Sequence, residues 1–186
     1  MPELNDILNE VIMTDTSWDD LSVELSAGSR GALSVPSYDA TNLGLLFPQN
    51  DASEIAFATI QMKHRKKLGS AIKLHVHYIQ SEATQPTFKI DYKFYNNNEV
   101  VPGSWTTIST GTGTGADKGI FTWSSGDLLQ IATFPDVAAP TGETVSANLD
   151  IKLYREDNDL TGDVLAKYVD LHFEIDSLGS DAEYSK

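Results

Sequence analysis

The chain has 186 residues, a length typical of one domain with its own hydrophobic core. It contains no cysteine, which excludes a disulfide scaffold, a thiolate zinc site and a cysteine nucleophile. Its 27 acidic and 13 basic residues give a net charge of −14, so nucleic acid and anionic membrane surfaces are unfavourable partners. The sequence has no apolar run as long as a membrane span and begins with acidic residues, so we expect a soluble protein made in the cytoplasm.

The first predicted element is an amphipathic helix over residues 1–13. Its apolar residues follow the spacing of one helix face: Leu4, Ile7, Leu8, Val11 and Ile12. A helix this short needs a surface to pack on, either its own domain or an assembly partner, and we expect the partner. Residues 14–53 alternate turn formers with short apolar pieces, which predicts an irregular arm with one or two short strands. We therefore divide the chain into a helix and arm over 1–53 and a β-domain over 54–186.

Beyond the arm, apolar residues alternate with polar ones. The alternation is clearest in four segments: Ile72–Tyr78, Phe88–Phe94, Leu149–Leu153 and Val169–Ile175. Because successive side chains of a strand point to opposite faces, this period of two predicts half-buried antiparallel strands. Turn-forming residues separate the strands, and a second helical pattern is absent. The sequence therefore predicts a mainly β fold, an antiparallel β-sandwich of jelly-roll type.

The sequence lacks the nucleophile elbow, the Walker loop and the helical zinc-protease motif. One pattern, formed by Gly69, His75, His77 and Glu82, resembles the first metal-binding motif of the cupins. His75 and His77 are two positions apart on a predicted strand and therefore share a face, and His172 lies on the polar face of another strand. A cupin-like enzyme that holds iron, manganese, nickel or zinc is one alternative. The other alternative, which we favour, is that these histidines have a structural role in a protein without a cofactor.

One basic cluster stands out in this acidic chain, and its charged members are Lys63, Arg65, Lys66 and Lys67. One interpretation is a solvated hairpin turn between strands over 55–62 and 71–79. The other is a contact point for an acidic partner or a neighbouring acidic subunit, by electrostatic steering. The acidic stretch 155–163 would be such a surface. It also offers carboxylates for a loosely bound calcium ion, without the ligand spacing of an EF-hand.

Several aromatic residues are candidates for a sugar-stacking platform: Trp18, Tyr95, Trp105, Trp123 and Tyr154. Aromatic residues of a β-sandwich more often pack in the core or along strand edges. We expect core or edge packing for all of them except Trp105. Trp105 follows the turn-forming pair Pro102 and Gly103, where solvent exposure is expected.

Seven short segments carry a resemblance. In chain order they are KLHVHYIQ at 73–80, FKIDYKFYN at 88–96, TWSSG at 122–126, FP at 134–135, LDIKLYRED at 149–157, TGDV at 161–164 and DLHFEIDSLGS at 170–180. In their order and spacing they resemble a family of small virion structural proteins encoded by tailed bacteriophages. The likeness extends from about residue 70 to the C-terminus. It does not include the helix and the arm.

This resemblance implies a non-enzymatic particle component: a capsid decoration or auxiliary protein, a head-fibre protein or a tail-associated protein. The expected partners are further copies of the chain, as a homotrimer, and other virion proteins such as the major capsid or tail proteins, with neither nucleic acid nor membrane. The expected location is the virion, after synthesis in the host cytoplasm. The alternatives are the cupin-like metalloenzyme and a receptor-binding or carbohydrate-binding module.

Overall fold

The structure is a computed structural model, and it describes residues 17–29, 35–48, 53–80, 86–110, 129–156 and 162–176. Within these ranges the chain forms strands and turns without a helix. The strands are β1 Ser17–Val23, β2 Ser26–Ser29, β3 Ser37–Asp39, β4 Gly44–Phe47, β5 Glu54–Gln61, β6 Ile72–Ile79, β7 Phe88–Tyr95, β8 Thr106–Ser109, β9 Leu129–Thr133, β10 Asn148–Arg155 and β11 Val164–Ile175. The helix expected over residues 1–13 lies outside the described residues.

The strands form two antiparallel sheets. Sheet A has the order β3-β4-β11-β6-β9, and β1 also pairs with β11. Sheet B has the order β2-β5-β10-β7-β8. The four segments with the clearest alternation correspond to β6, β7, β10 and β11, so the strand predictions made from the period of two are confirmed.

The core lies between the two sheets. On β6 the inward residues Ile72, Leu74, Val76 and Tyr78 are fully buried, and on β10 Leu149, Ile151 and Leu153 are buried in the same way. The rings of Tyr78 and Phe88 join the sheets in an edge-to-face contact, with their centroids 5.3 Å apart. The mainly β fold, with two packed antiparallel sheets arranged as a β-sandwich, is therefore confirmed.

The arm contributes more to the sandwich than the sequence suggested. Its described part contains the four strands β1 to β4, where one or two had been expected. β1 and β4 pair with β11 of sheet A, and β2 pairs with β5 of sheet B. The described arm is therefore built into both sheets.

The connection over residues 62–71 is a crossover between sheets. β5 belongs to sheet B and β6 belongs to sheet A, so the two strands are not hydrogen-bonded neighbours. The expectation of a hairpin turn at the basic cluster is therefore wrong. The crossover closes one end of the sandwich, because Lys66 forms an isolated bridge with Ile175 at the end of β11.

In the described part of the chain, no helix is long and apolar enough to cross a lipid bilayer.

Candidate functional site

The candidate site is the outer face of sheet A, the face that points away from the core. On β6, His75 and His77 alternate with fully buried apolar residues, and on β11 Asp170 and His172 do the same. The alternation that fills the core therefore also places these four polar side chains on one surface.

The strand register brings these residues together. Asp170 of β11 lies directly opposite His75 of β6. On the other side of β11, Asp20 of β1 lies opposite His172, and Ser22 lies opposite Asp170. Directly opposed side chains on one face of a sheet are close enough to interact, so three strands contribute to one polar group. We call Asp20, His75, His77, Asp170 and His172 the histidine–aspartate cluster.

His172 connects two carboxylates. Its Nδ1 lies 2.5 Å from Oδ1 of Asp20, and its Nε2 lies 3.3 Å from Oδ2 of Asp170. The His172 ring also packs against the ring of His75, with a centroid distance of 4.4 Å. Asp170 is 9% exposed and also accepts a 3.4 Å hydrogen bond from the Ser22 hydroxyl. The cluster is thus a chain of carboxylate, imidazole and carboxylate that is partly shielded from water.

His77 is the most buried histidine of the cluster, with 9% of its surface exposed. Its ring stacks on that of Tyr168 at a centroid distance of 4.4 Å. Its Nε2 lies 3.8 Å from Oδ2 of Asp170, which is too long for a hydrogen bond. Among the described residues, neither ring nitrogen of His77 has a hydrogen-bond partner. A neutral imidazole carries one donor and one acceptor, so this ring leaves both of its polar atoms unsatisfied.

Burial governs the protonation of two imidazoles in the cluster. Desolvation lowers the pKa of His75 below 6.5, the nearby His172 ring lowers it further, and Asp170 opposes the shift. Desolvation also lowers the pKa of His77, again against the opposing effect of Asp170. Both rings are therefore mainly neutral at neutral pH, with a lone pair free on one nitrogen.

These shifts predict a loss of stability on mild acidification. The folded-state pKa values of His75 and His77 lie below 6.5, so the unfolded chain binds more protons as the pH falls through and below that value. The thermal midpoint should therefore be lower at about pH 5.5 than at about pH 7.5. The measurement is circular dichroism melting in EDTA, so that no metal ion competes with protons. The double variant H75Q/H77Q should lose much of this difference, and an equal or higher wild-type midpoint at the lower pH would contradict the prediction.

The same face becomes apolar towards one end of the sheet. A bulge between Ala166 and Tyr168 separates the two parts of β11. Beyond it, four apolar residues lie in cross-strand register on β4, β11, β6 and β9, and we call them the apolar row: Leu46, Leu165, Ile79 and Leu129. On the next rung Tyr168, His77 and Ile131 are in register. Leu129 is 53% exposed and Ile131 is 39% exposed, so this end of the face presents apolar surface to solvent.

The structure unites the three histidines that the sequence singled out and adds two carboxylates. The alternation in the sequence already places Asp170 among the polar residues of the strand that carries His172. Asp20 was missed because its strand had been assigned to an irregular arm. Of the cupin-like pattern, Glu82 lies outside the described residues. Gly69 lies in the crossover loop at φ +80°, a conformation that favours glycine, and its N–H donates to Glu143.

The basic cluster is engaged in ion pairs within the chain. Lys63 and Arg65 both reach Asp19, at 3.0 Å and 2.5 Å. Lys67 lies 2.8 Å from Glu174. Lys66 is only 1% exposed and forms a buried ion pair, so it belongs to the interior. A partner-binding role for Lys63, Arg65 and Lys67 stays a prediction.

The described aromatic candidates do not form one platform. Trp18 is 45% exposed on β1 of sheet A, with Lys73 above its ring. Trp105, which had been expected to be exposed, is half-buried on the other sheet, where the ammonium groups of Lys152 and Lys93 lie 3.8 Å and 4.6 Å from its centroid. Tyr95 and Tyr154 donate hydrogen bonds to Asp150 and Asp91, respectively. Trp123 and most of the acidic stretch 155–163 lie outside the described residues.

The fold and this surface define a β-sandwich protein with a partly apolar outer face. In comparisons with known proteins, no family model, no curated protein and no solved structure gives a significant match to the chain.

Proposed function

We propose that the protein is a non-enzymatic structural component of a tailed-phage virion that acts as a homo-oligomer. The oligomer we propose is a trimer, which attaches to other virion proteins as a capsid decoration, head-fibre or tail-associated protein. The observation that carries the proposal is the apolar row on the outer face of sheet A. The resemblance to virion structural proteins, from about residue 70 to the C-terminus, supplies the biological setting.

The apolar row supports assembly because it runs across four strands on a surface where a monomeric sandwich would carry polar residues. Its Leu129 end and the neighbouring Ile131 lie on β9, an edge strand among the described residues, where a second chain has access. Leu46 and Ile79 are half-buried and Leu165 is buried, so the exposed apolar surface is concentrated at Leu129 and Ile131. Exposed apolar surface at a sheet edge is a feature of protein–protein contacts. Closed symmetric oligomers are the usual way to cover it.

The strand order supports the jelly-roll type of sandwich. From β4 onward the two sheets contain the orders β4-β11-β6-β9 and β5-β10-β7-β8. The chain crosses between the sheets after β4, β5, β6, β8, β9 and β10. A jelly roll has this arrangement of eight antiparallel strands in two sheets. Capsid domains are among the proteins that use it, which is compatible with a particle component.

The double variant L129E/I131E is expected to dissociate the oligomer. Two carboxylates at the edge of the apolar row would have to be desolvated in the interface, and they would repel their copies in neighbouring subunits. Light scattering at micromolar concentration should give three times the mass of one chain for the wild type and a clearly lower mass for the variant. The thermal melt of the variant should stay cooperative, because both replaced side chains are exposed.

The matched control is V100E/V101E. It adds the same two charges at exposed aliphatic residues of the loop between β7 and β8, away from sheet A, and should keep the wild-type mass. A monomeric wild type would contradict the oligomer, and a variant with unchanged mass would contradict the apolar row as its interface. The virion assignment is tested separately, by mass spectrometry of gradient-purified particles from cells that produce the encoding phage. Peptides of this chain should band with intact particles, and their absence from the particles would refute the assignment.

A further inference from the structure

We infer that the histidine–aspartate cluster is a binding site for a divalent first-row transition-metal ion, with Asp20, Asp170 and His172 as ligands. His77, next to Asp170, becomes a further ligand after a side-chain movement. The site goes beyond the proposed structural function and does not depend on it. It would join β1, β11 and β6 at the surface of sheet A.

Three potential ligand groups lie close together on β1 and β11. One ligand atom from each of Asp20, Asp170 and His172 lies within 4.8 Å of the others. Two atoms that bind one ion at 2.0–2.2 Å lie roughly 3–4 Å apart. The three groups can therefore share an ion after a side-chain movement that brings both carboxylates towards one ring nitrogen of His172. Their backbones are fixed by the paired strands β1 and β11, on which Asp20 lies opposite His172. The backbone positions of the ligands are therefore fixed before any ion arrives.

His77 independently indicates a missing ligand beside Asp170. This side chain is nine-tenths buried, and among the described residues neither ring nitrogen has a hydrogen-bond partner. Its Nε2 is directed towards Oδ2 of Asp170 at 3.8 Å, too long for a hydrogen bond but within the separation of two ligands of one ion. Buried polar atoms are normally satisfied, so an orphaned imidazole aimed at a carboxylate indicates a missing partner. A metal ion bound to Asp170 would give Nε2 of His77 a partner once the two side chains move closer.

The ligand chemistry selects the class of ion. Imidazole nitrogen suits zinc, nickel, iron and similar ions, whereas calcium and magnesium prefer sets of oxygen ligands. Two carboxylates would compensate the charge of a divalent ion in a partly buried setting. The net charge of −14 attracts cations in general, so selectivity has to be tested against calcium.

The test is isothermal titration of the full-length chain, stripped with EDTA and dialysed, with zinc chloride and separately with calcium chloride. We expect one zinc ion per chain at this site and at least tenfold weaker binding of calcium. The variants D20N and H172Q should each weaken zinc binding by at least tenfold. The matched control is H64Q, because His64 lies in the crossover loop against Ser146 and not in the cluster, and it should bind zinc like the wild type.

A second readout is the thermal midpoint, which zinc should raise in the wild type and in H64Q but much less in D20N and H172Q. Circular dichroism establishes that each variant is folded. Because the Asp20 side chain is 60% exposed, D20N keeps the test informative even if H172Q fails to fold. Absence of stoichiometric zinc binding by the wild type would overturn the inference, and so would equal zinc binding by the wild type and D20N.

Discussion

Replacing Lys66 with methionine is expected to lower the free energy of unfolding by about 3–5 kcal/mol. The Lys66 ammonium group lies 2.7 Å from Oε2 of Glu143, and both side chains are only 1% exposed. It also donates to the backbone carbonyls of Ser70 and Lys67, at 2.8 Å and 3.2 Å. Methionine fills a similar volume but leaves the carboxylate of Glu143 buried without its counter-ion. Equilibrium unfolding in urea at fixed protein concentration measures the loss.

The double variant K66M/E143L separates the ion pair from the packing around it. Removing both charges also removes the desolvation penalty, so the double variant should be more stable than K66M alone. The exposed pair between Lys67 and Glu174 provides the control, because its Lys67 side chain is 52% exposed. K67M should leave the free energy of unfolding close to that of the wild type, because solvent screens the exposed pair. Similar losses for K66M and K67M, or a double variant less stable than K66M, would contradict this account of the pair.

The sequence predicted the strands that have one fully buried face. The alternating segments Ile72–Tyr78, Phe88–Phe94, Leu149–Leu153 and Val169–Ile175 lie in β6, β7, β10 and β11, and they alternate because each presents one side to the core. β1 was not recognised, since Asp19 interrupts its alternation. Asp19 lies opposite Phe173 of β11, and Lys63 and Arg65 of the crossover compensate its charge. A strand whose inward position holds a charge cannot be identified before its partners are known.

The burial of Lys66 could not be predicted from the sequence either. In sequence it is one of several adjacent basic residues, and its partner Glu143 is 77 positions away. Only the crossover between the sheets brings the two together. The histidine pair was a different case, because two histidines two positions apart on an alternating strand must share a face. The sequence could therefore predict the face on which His75 and His77 lie, but not the carboxylate from β1 that completes the cluster.

The outer face of sheet A combines two features that the strand register keeps apart. On β11 the apolar row, at Leu165, lies N-terminal to the bulge, and the histidine–aspartate cluster, at Asp170 and His172, lies C-terminal to it. The stacked rings of His77 and Tyr168 are the point of contact between the two. An ion in the cluster would fix His77, and through it the ring of Tyr168, at the border of the surface that we propose as the subunit contact. Zinc binding and oligomer mass should therefore be measured on the same samples.

Replacing Phe173 with alanine should cost about 3–5 kcal/mol, the range for deleting a large aromatic side chain from a well-packed core. Phe173 is fully buried near the C-terminal end of β11, the strand that pairs with β6 on one side and with β1 and β4 on the other. A cavity there removes contacts in the layer between the two sheets, so relaxation of a single loop cannot fill it. The matched control is F57A on β5, where the ring is 44% exposed and the expected loss is under about 1 kcal/mol. Urea unfolding of both variants at one protein concentration makes the comparison. Equal losses would mean that Phe173 does not occupy the core position that the alternation of β11 assigns to it.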